Sequence, residues 1–185
     1  MNRALFLDRD GTLNVDTGYL HSPVNTVLKP GAIELVRAAN ELDALVFIVT
    51  NQAGIGRGYY SEKDFFDFDS WFRSFFARFN ARIDATYYCP DAPESNEATS
   101  VVRCRKPSPW MLLRAAEDFD VDPFKSVMVG DAESDSDAAS TAGVGHFFRI
   151  GNDVAAGHMP LRSVVPELVR VWGMSQPKTA VNSDA

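Results

Sequence analysis

The chain has 185 residues, 45% of them hydrophobic, and a formal net charge of -7 at pH 7. That size supports one domain with a sizeable core, and the acidic balance excludes non-specific binding to nucleic acid or anionic membranes, which needs excess Lys and Arg. Two cysteines, Cys89 and Cys104, are too few for a secreted disulfide framework, and no signal-peptide pattern or membrane-length apolar stretch is seen, so a soluble, cytoplasmic monomer is expected.

Strand-like and helix-like segments alternate along the chain, which predicts an α/β fold with a mostly parallel sheet covered on both faces. Residues 4–7 form a short apolar run that reads as a buried strand. Asp8 closes it, Asp10 follows, and Gly11 supplies the backbone freedom for a sharp exit. Residues 14–28 lack clear periodicity and read as a loop. Pro30-Gly31 opens a helix to about residue 42. The β-branched and aromatic run 45–49 predicts a central strand, ended by Thr50-Asn51-Gln52 and a glycine-rich turn. Ser61 and Asp64 have capping-box spacing and open a helix to about residue 80. Its aromatic stripe, Phe65, Phe68, Phe72, Phe75 and Phe79, is assigned to the core, leaving Phe66 and Phe76 as surplus rings for a partner contact.

Residues 85–89 predict a strand, 90–100 a polar loop, and 108–118 a helix with Ser108-Pro109 as its start. A strand over 126–129 runs into Gly130-Asp131. A helix over 134–142, a strand over 147–150 and a helix over 166–172 complete the pattern. Residues 1–175 are read as one domain and 176–185 as a flexible tail.

Four strand ends then carry groups suited to phosphoryl chemistry. A carboxylate such as Asp8 can attack phosphorus and form an aspartyl-phosphate, while Asp10 can pass a proton to the leaving oxygen and later take one from water. The Thr50 hydroxyl and the Lys106 ammonium suit phosphoryl oxygens, whose negative charge grows during transfer. Asp8 and a phosphate repel each other unless a divalent cation lies between them. Mg²⁺ favours oxygen ligands, and Asp8, Asp131 and the Asp10 backbone carbonyl suit it. Each element alone has an ordinary alternative: an acidic turn, a strand-end hydroxyl, a solvated lysine, a helix cap.

These motifs, DRDGT, the Thr of VTNQ, the Lys of RKP and GDAESD, resemble the haloacid dehalogenase superfamily of aspartate-nucleophile phosphatases. Longer matches (NVDTGYLH, TNQAGIGRGYYSE, YYCP, CRKPSPWML) resemble its D-glycero-D-manno-heptose 1,7-bisphosphate 7-phosphatases, with histidinol phosphatases the nearest competitor. The resemblance covers residues 4–151. It implies a three-layer, Rossmann-like fold without a large cap domain. The implied activity is Mg²⁺-dependent phosphomonoester hydrolysis on a small phosphorylated sugar, for lipopolysaccharide or other surface-glycan precursors. It also implies Asp8 as nucleophile, Asp10 as acid/base, Thr50 and Lys106 as phosphoryl holders, and Asp8, Asp10 and Asp131 as the metal site. Asp16, Gly18, Tyr19, Asn51, Gln52 and Arg105 would contact substrate. A non-catalytic binding protein on the same scaffold is the remoter alternative, supported by the aromatic helix and an altered metal loop.

That loop departs from the family pattern. Many relatives hold structural Zn²⁺ with a Cys-x-His and a Cys-x-Cys pair, but here Asp91 and Val102 replace two ligands. Structural zinc is therefore not expected, and Cys89 and Cys104 are expected as two reduced thiols near each other; a disulfide between them is geometrically possible but not expected in a reducing cytosol. Ala132 stands where the heptose enzymes place Lys, removing a cation near the substrate mouth. The Gly54-x-Gly56-x-Gly58 run lacks a nucleotide-binding context and reads as a turn carrying Arg57 towards the pocket. His21, His146 and His158 show no metal-ligand spacing.

Overall fold

The computed structural model describes residues 1–93, 103–151 and 153–173. Five parallel strands, β1 (Ala4–Leu7), β2 (Leu45–Asn51), β3 (Ala85–Cys89), β4 (Val127–Gly130) and β5 (His146–Arg149), form one sheet in the order β3-β2-β1-β4-β5. Among the described residues six α-helices connect and flank them: α1 (Ala32–Glu41), α2 (Ala53–Gly56), α3 (Glu62–Ala77), α4 (Trp110–Asp118), α5 (Glu133–Ala142) and α6 (Val164–Gly173).

Side chains alternate across a strand, and each sheet face here meets its own layer of helices. Leu5, Leu7, Val46, Ile48, Val127 and Val129 join a core with Leu35 and Val36 of α1, Phe68, Phe72 and Phe76 of α3, and Leu168 and Trp172 of α6. Ala4, Phe6, Phe47, Val49 and Met128 face the other way, onto Met111 and Leu112 of α4 and Ala138 and Ala139 of α5. This is the expected three-layer α/β arrangement. The segment between β1 and α1 is a loop with one 3-10 turn, Pro23–Asn25, and only the short α2 separates β2 from α3, so neither connection carries a cap domain. Among the described residues no helix is long and apolar enough to cross a membrane.

Strand order reverses at β1: β2 and β3 lie to one side of it, β4 and β5 to the other. Such a reversal opens a crevice beyond the carboxyl ends of the strands, here those of β1 and β4. Asp8 and Asp131 are the residues that follow those two strands.

Helix α3 starts as expected. The Asp64 N–H donates to Ser61 Oγ at 3.2 Å and the Ser61 N–H donates to Asp64 Oδ2 at 2.9 Å. Its buried stripe differs from the expected one. Phe65, Phe68, Phe72 and Phe76 are buried, Phe75 is half-buried and Phe79 is 43% exposed. The helix ends at Ala77, so Phe79 lies past its last turn, and the phase of 3.6 residues per turn carries the stripe from Phe72 to Phe76. Phe76 is thus core and not a partner contact, while Phe66 is half exposed. Phe72→Ala is expected to lower unfolding free energy by about 3–5 kcal/mol, against less than about 1 kcal/mol for Phe66→Ala. Urea unfolding followed by circular dichroism measures both.

The cysteines also differ from expectation. Cys89 and Cys104 form a disulfide across a Cα–Cα distance of 5.4 Å. The expected proximity holds, and the expected reduced state does not: the fold brings the last residue of β3 beside the segment that leads into Lys106, within bridging range. The proposed tail at 176–185 and Val102 lie outside the described residues.

Candidate active site

The β1 strand is wholly buried, and the Asp8 N–H still donates to Val129 O at 3.0 Å, extending the β1–β4 pairing by one residue. Asp8 therefore leaves the sheet in a fixed direction, 8% exposed. Its Oδ1 accepts from Lys106 Nζ at 2.6 Å. The same ammonium lies 2.6 Å from Asp135 Oδ1 and donates to Val49 O at 2.7 Å. All three ionisable side chains are buried, so the lysine sits between two carboxylates with little water to share their charge.

Burial pushes the Asp8 carboxyl up to about 7, with Lys106 pulling it down and Asp135 pushing it up. Burial also weighs against the Lys106 ammonium, but the two carboxylates outweigh it and hold its pKa above the usual lysine value. Asp131 is raised as well, by burial and by Asp135, with Lys29 opposing. Asp8, Asp131 and Asp135 each offer an oxygen, and these lie within 4.8 Å of one another. Hard oxygen donors so grouped suit Mg²⁺.

Several backbone features hold this cluster. Gly11 adopts φ 86°, and a Cβ on it would lie 2.1 Å from Asp131 Oδ2, so only glycine lets the loop pass so close to that carboxylate. Lys29 Nζ donates to Gly11 O. Arg149 Nε donates to Asp131 O at 3.2 Å. Asp135 Oδ2 accepts the Ala132 N–H at 3.1 Å at the start of α5, which aims its other oxygen at Lys106.

Asp10 occupies a separate cradle. Its carboxylate accepts from Arg9 Nη2 at 2.8 Å, from Arg9 Nε at 3.2 Å, from Asn14 Nδ2 at 3.0 Å and from Gln52 Nε2 at 3.0 Å. Burial opposes ionisation, yet the Arg9 charge and these hydrogen bonds hold Asp10 below the usual carboxylate range. Gln52 Nε2 also donates to Thr50 Oγ1 at 2.7 Å, and Gln52 Oε1 accepts from the Tyr60 hydroxyl at 2.5 Å. Asp10 and Thr50 are thus joined through one amide.

The five expected residues, Asp8, Asp10, Thr50, Lys106 and Asp131, therefore meet at one sheet edge. The substrate-contact expectations fare differently. Gln52 is 2% exposed with both ends of its amide engaged by Asp10, Thr50 and Tyr60. Asn51 Oδ1 accepts the Lys106 N–H at 3.0 Å and its Nδ2 donates to Lys106 O at 3.3 Å, clamping the lysine's backbone. Both amides are thus engaged within the cluster itself. Asp16 Oδ1 accepts the Gly18 N–H at 2.8 Å in a tight exposed turn. Tyr19 is 41% exposed, packs edge-on against Tyr59 at 4.7 Å and accepts a hydrogen bond from Arg57. Arg105 Nη1 donates to Asp91 O at 3.2 Å. Arg9, Asn14 and Asp135 were not anticipated as site residues. For Asp135 the signal was the second aspartate of GDAESD, four residues after Asp131. A cavity of about 520 Å³ on the outer side of α3, lined by Asp69, Ser70 and Arg73, shares no residue with this cluster.

Comparison with known proteins agrees with this geometry. A family model described as HAD-hydrolase-like matches residues 103–147. D-glycero-alpha-D-manno-heptose-1,7-bisphosphate 7-phosphatase of Burkholderia mallei is 53% identical over 146 residues, covering 78% of this chain and 77% of that one. The chain belongs to the heptose-bisphosphate 7-phosphatases. This family consists of phosphoric monoester hydrolases on the haloacid dehalogenase scaffold. Its D-glycero-beta-D-manno-heptose-1,7-bisphosphate 7-phosphatase of Haemophilus influenzae is 41% identical over 78% of this chain and 79% of its own. The crystal structure of D,D-heptose 1.7-bisphosphate phosphatase from B. bronchiseptica complexed with magnesium and phosphate superposes with a TM-score of 0.77 at 29% identity, covering 91% of this chain and 98% of that one.

Proposed function

We propose that this chain is a Mg²⁺-dependent phosphatase that removes the 7-phosphate of D-glycero-α-D-manno-heptose 1,7-bisphosphate, supplying precursors for lipopolysaccharide or other surface glycans. One observation carries the mechanism. The Asp8 carboxylate faces Lys106 at 2.6 Å within a group of three acids at the point where strand order reverses. The α anomer is supported by the Burkholderia mallei relative, which is 53% identical where the β-named Haemophilus influenzae protein is 41% identical.

In this reading an Asp8 oxygen attacks phosphorus, the P–O bond to the sugar breaks, and the leaving oxygen takes a proton from Asp10, whose lowered pKa in the empty site the negative charge of the bound phosphate would offset so that it can carry that proton. Water then attacks the aspartyl-phosphate, gives its proton to Asp10, and releases phosphate with Asp8 restored. Lys106 and Thr50 hold the phosphoryl oxygens as their charge grows. Asp8, Asp131 and the Asp10 backbone carbonyl would hold Mg²⁺, with Asp135 close enough to join them. When bound, the ion offsets repulsion between the acids and the phosphate and stabilises the transferring group. Tyr19, the Asp16–Gly18 turn and Arg105 form the substrate side. In the same reading the enzyme is a cytoplasmic monomer of one domain. No structural zinc is proposed, because Cys89 and Cys104 are joined in a disulfide and offer no thiolate, which leaves only Asp91 of that loop's candidate ligands.

Comparison of kcat/KM for the α and β heptose 1,7-bisphosphates and histidinol phosphate, in Mg²⁺, tests the substrate. Preference for the α bisphosphate is expected; preference for histidinol phosphate would replace the substrate and leave the chemistry standing. Absence of turnover across all three and a wider phosphate-ester panel would favour the non-catalytic reading. Gly11→Ala examines the metal side. Its methyl would displace Asp131, and the Mg²⁺ concentration for half-maximal activity should rise about tenfold or more, as when a metal ligand loses its support.

A further inference from the structure

We infer that Arg9 is the positioning residue for Asp10, orienting the proton-transferring carboxyl without taking part in the attack on phosphorus. The inference rests on the proposed phosphatase reading and deepens it.

Arg9 leads the fully buried side chains in size, with 1% of its surface exposed. Arginine is almost never buried to that degree unless a partner requires it. Its guanidinium carbon lies 5.0 Å from the Phe68 ring centroid and 5.8 Å from that of Phe65, so two aromatic rings of α3 wall it in. Nη2 also donates to Leu20 O at 3.0 Å, which fixes that arm of the fork. The inner side, Nε and Nη2 together, engages both oxygens of Asp10. A planar fork on a planar carboxylate sets the direction of the acid as well as its distance.

Stability alone does not account for this arrangement. A buried ion pair commonly gains little over apolar residues of similar volume, and the hydrophobic wall of Phe65 and Phe68 would accept a methionine. The Arg9 contacts described here are with Asp10, Leu20 and those two rings, whereas Asp8 is served by Lys106. The nucleophile and the proton carrier thus have separate cationic supports, and their losses should separate kinetically.

Leaving-group dependence reads that separation. A sugar alkoxide needs a proton as it departs, while dinitrophenolate departs without one. The ratio kcat/KM reports only through that first departure. In Arg9→Met, kcat/KM for the heptose bisphosphate should fall about 10²-fold, the scale of general acid catalysis, while that for 2,4-dinitrophenyl phosphate changes less than about threefold. Arg9→Lys, which keeps the charge and loses the fork, should show the same split and serves where the methionine variant does not fold. In Arg9→Met/Asp10→Asn, kcat/KM for the sugar should be no lower than in Asp10→Asn alone, because Arg9 acts through Asp10. Equal losses on both substrates, or additive losses in the double variant, would overturn the inference. Failure of the phosphatase reading looks different: the unmodified enzyme would hydrolyse neither ester.

Discussion

Asp8→Asn is expected to lower kcat on the heptose bisphosphate by about 10⁴- to 10⁶-fold, the scale seen when a covalent nucleophile is removed. An amide cannot form the acyl-phosphate, and none of the neighbours takes its place: Lys106 is a cation, and Asp135 is turned onto that cation and the α5 backbone. The variant should remain folded, since Lys106 keeps its partners Asp135 and Val49 O. Its stability has a defined pH signature in chelator. Folding raises the Asp8 pKa from 3.8 to about 7, so between those values the folded chain binds more protons than the unfolded one. The stability from that extra proton is present in acid and is lost as pH rises through the window. Asparagine carries no such dependence. The melting temperature of the variant relative to the native sequence should therefore rise from pH 4 to about 7 and level off above it. Near-native turnover in Asp8→Asn would end the assignment of the nucleophile.

Lys106→Met has the second large effect, and it acts on folding and catalysis together. Removing the ammonium leaves Asp8 and Asp135 buried without their shared cation. Breaking a buried pair from one side costs about 3–5 kcal/mol, mostly as the penalty on the stranded charge. In metal-free buffer the urea midpoint should fall accordingly. Adding Asp135→Asn removes one stranded charge and should return a large part of that loss. Activity should not return with it, because the phosphoryl oxygens have still lost their cation, worth about 10²–10³-fold in kcat. Recovery of turnover along with stability would make Lys106 a structural residue only.

Much of the site could be read from local sequence because three of its chemistry-bearing residues, Asp8, Thr50 and Asp131, lie at the ends of short apolar runs. Ala4–Leu7, Leu45–Asn51 and Val127–Gly130 are continuous β-rich segments, and a parallel sheet aligns their carboxyl ends. Asp8, Thr50 and Asp131 then fall together without any knowledge of long-range contacts. What stayed hidden depends on distances between segments remote in sequence. Arg9 drew no reading from the sequence; only the packing of α3 over the β1 exit shows it buried against Phe65 and Phe68. The substrate role of Asn51 and Gln52 came only from the family resemblance, and what their amides engage in the fold, Lys106 and Asp10, is not written in local sequence. Phe76 and Phe79 were exchanged in the core assignment because the helix stops at Ala77, a boundary with no glycine or proline to mark it.

The Cys89–Cys104 bridge bears on how this scaffold tolerates change. It pins the two borders of the intervening stretch, one at the close of β3 and the other just ahead of the phosphoryl-binding lysine. Lengthening or replacing the residues inside that covalent ring need not shift either border, since closure entropy grows only slowly with loop length. The ring is accordingly a natural graft point, where a reporter peptide or an affinity tag can be spliced in while the lysine keeps its post.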